Sequence, residues 1–232
     1  MNGLRVVQIP FLAVARAIVL QLLLLVLTPA KGAASALLQV TTSPPLLDVP
    51  TYSLATLNKD GSTNMNIMTY ATPISVVPTR VWTLGLYRET LTEENVRRQP
   101  TVVLQLLTNQ HIDVVGVLGG TSGRDVDKRA ECAKRGLSWM ATPSDDLGGL
   151  ELLPGCASYI HLCIQGGLVD AGSHLIAPYC AVLGMYQEES NNDQELQVHL
   201  KTGYLRELGI ITPQGRVANQ VREESNRGFR LQ

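Results

Sequence analysis

From Thr51 onward the chain is a succession of short segments in which apolar and polar residues alternate, with turn residues between them. Residues 52–57 (YSLATL) alternate in this way, and they are followed by Asn58-Lys59-Asp60-Gly61. An Asp-Gly pair is typical of a tight turn between two antiparallel strands. Because side chains alternate across the two faces of a strand, this pattern favours a β-sheet over a helix bundle.

Further strands are predicted along most of the remaining chain, and helices are few. Aromatic residues make up only 5% of the sequence, so short aliphatic side chains must fill the core. The pattern therefore predicts a mainly β protein, a barrel with a few short helical insertions. The predicted strands cover residues 64–72, 80–86, 101–107, 157–168 and 176–186, and helices are predicted over 92–99 and 124–135.

The helix over 92–99 is predicted from its ends. Thr92 stands near its start, with Asn95 three residues later. Acidic residues occupy the first turn and basic residues the last turn, an arrangement that complements the helix dipole.

The first 36 residues have the composition of a targeting segment. Arg16 precedes an apolar run of about eleven residues, and no acidic residue occurs before Asp48. Ala34-Ser35-Ala36 provides the small residues that a signal peptidase accepts. The run is shorter than the roughly 20 residues needed to span a bilayer. We therefore expect a cleaved signal or transit peptide over 1–36, leading to the secretory route or a plastid, and a soluble mature protein with no stable membrane span.

The remaining boundaries follow from composition. Residues 37–50 contain three prolines and are predicted to be an extended linker. Residues 213–232 are polar and charged without an apolar period, and we expect them to be a disordered tail. One domain over residues 51–212 lies between these segments.

Charge and cysteine usage exclude several classes of function. The net charge of −1 gives no reason to expect a nucleic-acid partner. The four cysteines form no CxxC pair and the histidines have no metal-ligand spacing, so we expect no metal site. Two disulfides would be possible in an oxidising compartment, although scattered cysteines with apolar neighbours are more often buried small side chains.

The glycine-rich segment 114–123 (VVGVLGGTSG) is the most tempting nucleotide-binding motif. A strand, a glycine-rich turn and a helix could hold a phosphate through backbone N–H groups. A dinucleotide-binding G-x-G-x-x-G ending at Gly123 would, however, need glycine where Leu118 stands, and the sequence lacks the Gly-Lys-Ser/Thr of a P-loop. We therefore interpret these glycines as a turn that leads into the helix over 124–135.

A different group of residues could enclose one flat, phosphorylated ligand. The backbone of Met68-Thr69-Tyr70-Ala71 could contact a planar ring system, and Arg88, Thr90 and Thr92 could bind a phosphate beside the positive end of helix 92–99. Surface threonines and arginines are more often simply solvated, so residue types alone leave this open. No Gly-x-Ser-x-Gly elbow is present, so a hydrolytic triad has little support.

The order of these segments resembles the flavin reductase-like, FMN-binding split β-barrel family. The resemblance rests on KDG at 59–61, NMNIMTYATPISVVP at 64–78, YRETLTEEN at 87–95 and VVLQLL at 102–107. It continues in LGGTSGRDVDK at 118–128, LPGCASYIHLCI at 153–164 and VDAGSH at 169–174. It covers about residues 50–212 and implies an antiparallel split barrel of six or seven strands with Greek-key connections.

The resemblance also implies a function and a site. It implies a homodimer with FMN near the subunit interface, NADH or NADPH as co-substrate, and passage of hydride to the bound flavin. The implied cofactor-binding residues are Met68, Thr69, Tyr70, Ala71, Arg88, Thr90, Thr92 and Asn95, and His174 is implied near the reacting edge. A non-catalytic flavin- or ligand-binding module, and a secreted disulfide-bonded β-domain without a cofactor, remain as alternatives.

Overall fold

The computed structural model describes residues 45–142, 147–188 and 198–218. The expected targeting segment over 1–36, most of the linker and residues 219–232 lie outside the described residues. No helix in the described part is both long enough and apolar enough to cross a membrane.

The described residues are mainly β-strands with four short α-helices and one 3₁₀ turn. The strands are β1 Tyr52–Leu57, β2 Thr63–Met68, β3 Ala71–Ser75, β4 Val81–Tyr87, β5 Thr101–Leu106, β6 Met140–Ala141, β7 Glu151–Leu152, β8 Ser158–Gln165, β9 Val169–Ala171 and β10 His174–Tyr186. The α-helices are α1 Leu91–Arg98, α2 Ile112–Gly120, α3 Lys128–Ala133 and α4 Thr202–Glu207, and the 3₁₀ turn is Asn109–His111.

The main sheet is antiparallel throughout and curled. Its strand order is β2-β1-β5-β8-β10-β4-β3, with β9 paired to β10. The strands at the two ends of this order, β2 and β3, are separated in the chain only by Thr69 and Tyr70. So short a link spans at most about 10 Å, so the sheet curls until the end of β2 lies near the start of β3. We call this junction, residues 68–71, the seam.

This architecture confirms the predicted fold class, a mainly β split barrel with short helical insertions. The strand over 52–57 has the predicted bounds. The predicted strand over 64–72 is divided at the seam, and the main sheet has eight strands among the described residues rather than six or seven. The core is largely aliphatic, with Leu54, Leu104 and Leu162 fully buried.

The glycine-rich segment is helical, so the strand-and-turn interpretation of 114–123 was wrong. Residues 112–120 form α2, with Val114, Val115, Val117 and Leu118 buried. Those four positions follow the spacing of one helix face. Their burial outweighs the modest helix propensity of valine and glycine.

Two helix boundaries also differ from the prediction. α1 begins after Thr90, whose side chain accepts a hydrogen bond from the Glu93 backbone N–H, so Thr90 rather than Thr92 caps the helix. The second predicted helix begins only at Lys128 because Asp127 caps it, accepting from the Ala130 N–H at 3.0 Å. Residues 121–127 therefore form a loop.

The C-terminal end of the described chain is structured to residue 218, beyond the predicted domain boundary. Ile211 pairs with Val217, and the Thr212 N–H donates to the Arg216 carbonyl at 2.7 Å. Val217 is buried. We call residues 210–218 the C-terminal hairpin. Within the part of it that was predicted to be disordered, residues 213–218, Val217 is the buried apolar residue, and a single such residue sets no apolar period.

The cysteines are unpaired in the structure. Cys132, Cys156 and Cys180 are buried and Cys163 is half-buried, and all four are free. This confirms the interpretation of most of them as buried small side chains. A disulfide-bonded domain would need paired cysteines, which the structure does not have.

Candidate functional site

The seam brings residues from both edges of the sheet together. Met68 ends β2 and is buried, Thr69 is half-buried, and Tyr70 has 62% of its surface exposed. The Tyr70 carbonyl accepts a hydrogen bond from the Gly85 N–H at 2.7 Å. A Cβ atom at position 85 would lie only 2.8 Å from the Tyr70 Cβ, so this close approach requires glycine.

His174 lies against the seam between two tyrosines. Its ring centroid is 4.9 Å from that of Tyr70 and 5.1 Å from that of Tyr87, and both contacts are edge-to-face. The register of β10 against β4 explains the second contact, because His174 is paired with Tyr87. The Ser173 hydroxyl lies 2.9 Å from His174 Nδ1. Two residues far apart in sequence from His174 thus hold its ring.

Burial lowers the pKa of His174 below its ordinary value, and the charge of Arg216 lowers it further. A histidine with a lowered pKa is predominantly neutral near pH 7, with one ring nitrogen as donor and the other as acceptor. In that state it can hydrogen-bond a neutral ligand edge without bringing a positive charge to it.

Arg88 follows β4 and is held by the β9–β10 turn. Its Nε donates to the Gly172 carbonyl at 2.6 Å, and its guanidinium forms an ion pair with Asp170. That contact lowers the pKa of the Asp170 carboxyl. Both side chains are substantially exposed, so the pair is open to competition from an incoming anion.

Thr90 is engaged by the turn and the helix that it caps. Its hydroxyl donates to the Tyr87 carbonyl at 2.8 Å and accepts from the Glu93 N–H at 3.2 Å. It therefore fixes the start of α1 next to Arg88. The first N–H groups of a helix lack intrahelical acceptors, which favours anions at this end.

Thr92 and Asn95 lie beneath the surface, between α1 and the β1–β2 hairpin. Thr92 is 3% exposed and Asn95 is fully buried. The Thr92 hydroxyl accepts from Asn64 at 3.1 Å, and the Asn95 amide donates to Thr56 at 3.1 Å and to Asn58 at 2.8 Å. The structure thus places these two residues in a packing network and does not bring them to the surface that Arg88 shares.

The Asn95 network predicts a stability effect. Asn95→Leu should lower the free energy of unfolding by about 1–3 kcal/mol, because it removes donors to Thr56 and Asn58 and leaves buried polar groups unpaired. The control is Arg97→Ala on the same helix, whose exposed ion pair with Glu93 is worth about 0.5 kcal/mol or less. Urea unfolding of both variants measures the difference, and equal midpoints would show that the network is not stabilising.

Arg124 is a site residue that sequence reasoning missed. Its guanidinium donates to the Glu89 carbonyl at 2.9 Å and pairs with Glu94 at 3.1 Å, so a second cation lies beside the start of α1. It was expected to open a helix. The sequence pointed to Arg124 only indirectly, because Arg124 lies in LGGTSGRDVDK at 118–128, one of the segments that carry the resemblance.

The loop that carries Arg124 is fixed at both ends. Gly123 approaches Asn64 so closely that a Cβ atom there would lie 2.4 Å from its Oδ1. The buried Lys128 ammonium donates to the carbonyls of Met65 at 2.9 Å and Leu118 at 2.8 Å. Burial lowers the pKa of Lys128 to about 8. These contacts hold Arg124 in place against α1.

Among the surface clefts of the described part of the chain, one has a volume of about 350 Å³ and another of about 470 Å³. The first lies between the end of α1 and the end of β8. The second lies among the β1–β2 turn, the Arg124 loop and Trp139. Seam residues, Arg88 and His174 line neither of them. Tyr70 is largely exposed, and Arg88 and His174 are half-buried.

Several solved structures have a similar fold. Flavoredoxin from Methanosarcina acetivorans is 13% identical, with a TM-score of 0.54 over 66% of this chain and 76% of its own. The NADH:FAD oxidoreductase of Streptomyces globisporus, in complex with NAD and FAD fragments, is 12% identical, with a TM-score of 0.53 over 67% and 81%. An FMN-binding protein from Thermus thermophilus is 16% identical, with a TM-score of 0.53 over 68% and 86%.

These similarities establish the fold of the chain. It is a split β-barrel like that of the solved flavin reductase-like and FMN-binding proteins, as the order of sequence segments implied. No model of a known protein family matches the sequence, and comparison with curated proteins finds no match.

Proposed function

We propose that the protein is an FMN-binding flavoprotein that acts as an NAD(P)H-dependent flavin reductase-like oxidoreductase. The observation that carries the proposal is the convergence of three separate segments on one surface. Tyr70 of the seam contacts His174, and the Arg88 backbone N–H donates to the Ser173 carbonyl at 3.2 Å. The seam, the turn after β4 and the start of β10 therefore form one surface with an aromatic part and a cationic part.

The chemistry of this surface fits FMN. The exposed Tyr70 and the backbone of residues 68–71 suit a planar ring that is half apolar. Arg88, Arg124 and the N-terminal end of α1 suit a phosphate dianion. Thr90 links the turn that carries Arg88 to the start of α1. Thr92 and Asn95 hold α1 against the β1–β2 hairpin. Bound FMN would supply the redox chemistry, which explains why a dedicated acid–base pair is not needed.

His174 is the residue we assign to the reacting edge. It is half-buried, its ring is held between Tyr70 and Tyr87, and its lowered pKa keeps it neutral. A neutral, oriented imidazole can hydrogen-bond the ligand edge or the carboxamide of a nicotinamide and so align the two rings. It orients the reactants and does not have to carry a proton.

A homodimer would complete the site. Apolar side chains are exposed on β3, on the turn that follows it and on β10. Ile74 is 56% exposed, Val77 80% and Leu183 56%. Exposed apolar groups of this kind mark association surfaces. A second copy packed here would cover them and would enclose a ligand from the other side.

The test is the absorption spectrum of the purified full-length protein. We expect a yellow protein with a flavin absorption band at about 450 nm. This band should bleach when NADPH or NADH is added under anaerobic conditions. Gel filtration with light scattering should give twice the chain mass.

The outcomes separate the alternatives. A flavin band that neither nucleotide bleaches would contradict the reductase activity and favour a non-catalytic flavin-binding module. A colourless protein that does not retain added FMN would overturn the proposal as a whole.

A further inference from the structure

The C-terminal hairpin packs closely against two glycines of α2. A Cβ atom at Gly119 or at Gly120 would lie 3.2 Å from a methyl carbon of Val217. Such a distance is tighter than ordinary van der Waals contact, so a side chain at either position would crowd Val217. The two glycines of the LGG segment, which are not part of a phosphate loop, therefore serve as the docking surface for residues 210–218.

The packing of the hairpin against α2 places Arg216 next to the Tyr87 ring. The Arg216 guanidinium lies over the Tyr87 ring, 5.7 Å from its centroid, and donates to the Tyr87 hydroxyl at 3.1 Å. Its backbone is fixed by the Thr212 N–H, which donates to the Arg216 carbonyl at 2.7 Å. A cation over the face of an aromatic ring, with a hydrogen bond to the ring's hydroxyl, restricts the ring in two directions.

Tyr87 in turn contacts His174, so the three side chains form a continuous series. Arg216 contacts Tyr87, Tyr87 contacts His174, and His174 contacts Tyr70 at the seam. Tyr87 is 46% exposed, so burial alone does not fix its ring. Its orientation depends on the groups on either side of it.

We propose that Arg216 is a positioning residue of the flavin site, which holds the Tyr87 ring and through it the orientation of His174. The role of Arg216 in catalysis rests on the proposed function. Under this inference the C-terminal hairpin forms one side of the flavin site. Arg216 itself need not touch the flavin.

The charges around His174 come from three elements. Arg216 lies on the C-terminal hairpin, Arg88 follows β4, and Asp170 belongs to β9. Tyr87 of β4, Tyr70 of the seam and the neighbouring Ser173 also contact or flank the imidazole. The charge of Arg216 lowers the pKa of His174, so a change of Arg216 alone is expected to act on the imidazole.

The experiment compares Arg216→Gln and Arg216→Lys with wild type by NMR of the ligand-free full-length protein. Nuclear Overhauser contacts between Tyr87 and His174 report the ring geometry, and a pH titration of the His174 ring protons gives its pKa. The FMN dissociation constant is measured separately. Arg135→Gln, which removes an exposed arginine just after α3, is the matched control.

We expect Arg216→Gln to weaken the Tyr87–His174 contacts, to raise the pKa of His174, and to raise the FMN dissociation constant about two- to fivefold. Arg216→Lys should keep the pKa low, because it keeps the charge, while it weakens the ring contacts. Arg135→Gln should change none of these.

Ring contacts and a His174 pKa that are the same in Arg216→Gln as in wild type would overturn the inference, whatever the flavin affinity. Weakened ring contacts in a protein whose wild type binds no FMN would instead overturn the proposed function and leave the coupling of Arg216 to His174 standing. The two failures are therefore distinguishable.

Discussion

Replacing Arg88 and Arg124 together by alanine is expected to weaken FMN binding about a hundredfold, and each single replacement about tenfold. Both guanidinium groups lie beside the start of α1, where the helix dipole already favours an anion. A phosphate dianion would lose one charge-assisted contact with each substitution. Isothermal titration with FMN measures the loss, and titration with riboflavin, which has no phosphate, should show no effect of the substitutions.

Two further variants sharpen this prediction. Asp170→Asn should tighten FMN binding, because it releases Arg88 from its ion pair. Arg97→Ala removes an exposed arginine from the last turn of α1 and should leave the affinity unchanged. Equal FMN affinities in the wild type and the double variant would show that the phosphate lies elsewhere.

Gly85→Ala is expected to disturb the seam although it adds a single methyl group. The new Cβ would lie 2.8 Å from the Tyr70 Cβ, a backbone-proximal atom that cannot rotate away. We expect the free energy of unfolding to fall by about 1–3 kcal/mol, as for other overpacked sites. FMN affinity should fall with it, because residues 68–71 must shift. Thermal unfolding and FMN titration measure both effects.

The clash itself can be tested with a second change. Tyr70→Gly removes the opposing Cβ. The double variant Tyr70→Gly, Gly85→Ala should therefore have a higher free energy of unfolding than the sum of the two single effects predicts. Gly116→Ala is the matched control, because the structure places no neighbouring atom within 4 Å of a Cβ at that helical position. It should be neutral or slightly stabilising. A Gly85→Ala protein as stable as Gly116→Ala would contradict the seam packing.

Local signals in the sequence predicted the strands well and singled out several residues of the surface that we propose for the flavin. The Asp-Gly turn set the β1–β2 hairpin, and the segments around Tyr70, Arg88 and His174 were singled out before their contacts were known. These signals are local, because turn chemistry and side-chain alternation act within a few residues.

The remainder depends on contacts that no local pattern contains. The helix α2 was missed because its valines suggest a strand, although burial on one face decided otherwise. Thr92 and Asn95 were assigned to the ligand by residue type, yet packing of α1 on the β1–β2 hairpin places them inside. Arg124 and Arg216 reach the site from loops far along the chain, and only the folded structure could place them there.

The short link between β2 and β3 has a consequence for how the protein would acquire the flavin that we propose for it. The seam joins the first and last strands of the sheet order, so its backbone takes its final form only when every strand between them has paired. Assembly of such long-range pairings is slow and comes late in folding. A ligand that binds there discriminates between complete and incomplete barrels, and its binding free energy would be added to the stability of the closed state alone.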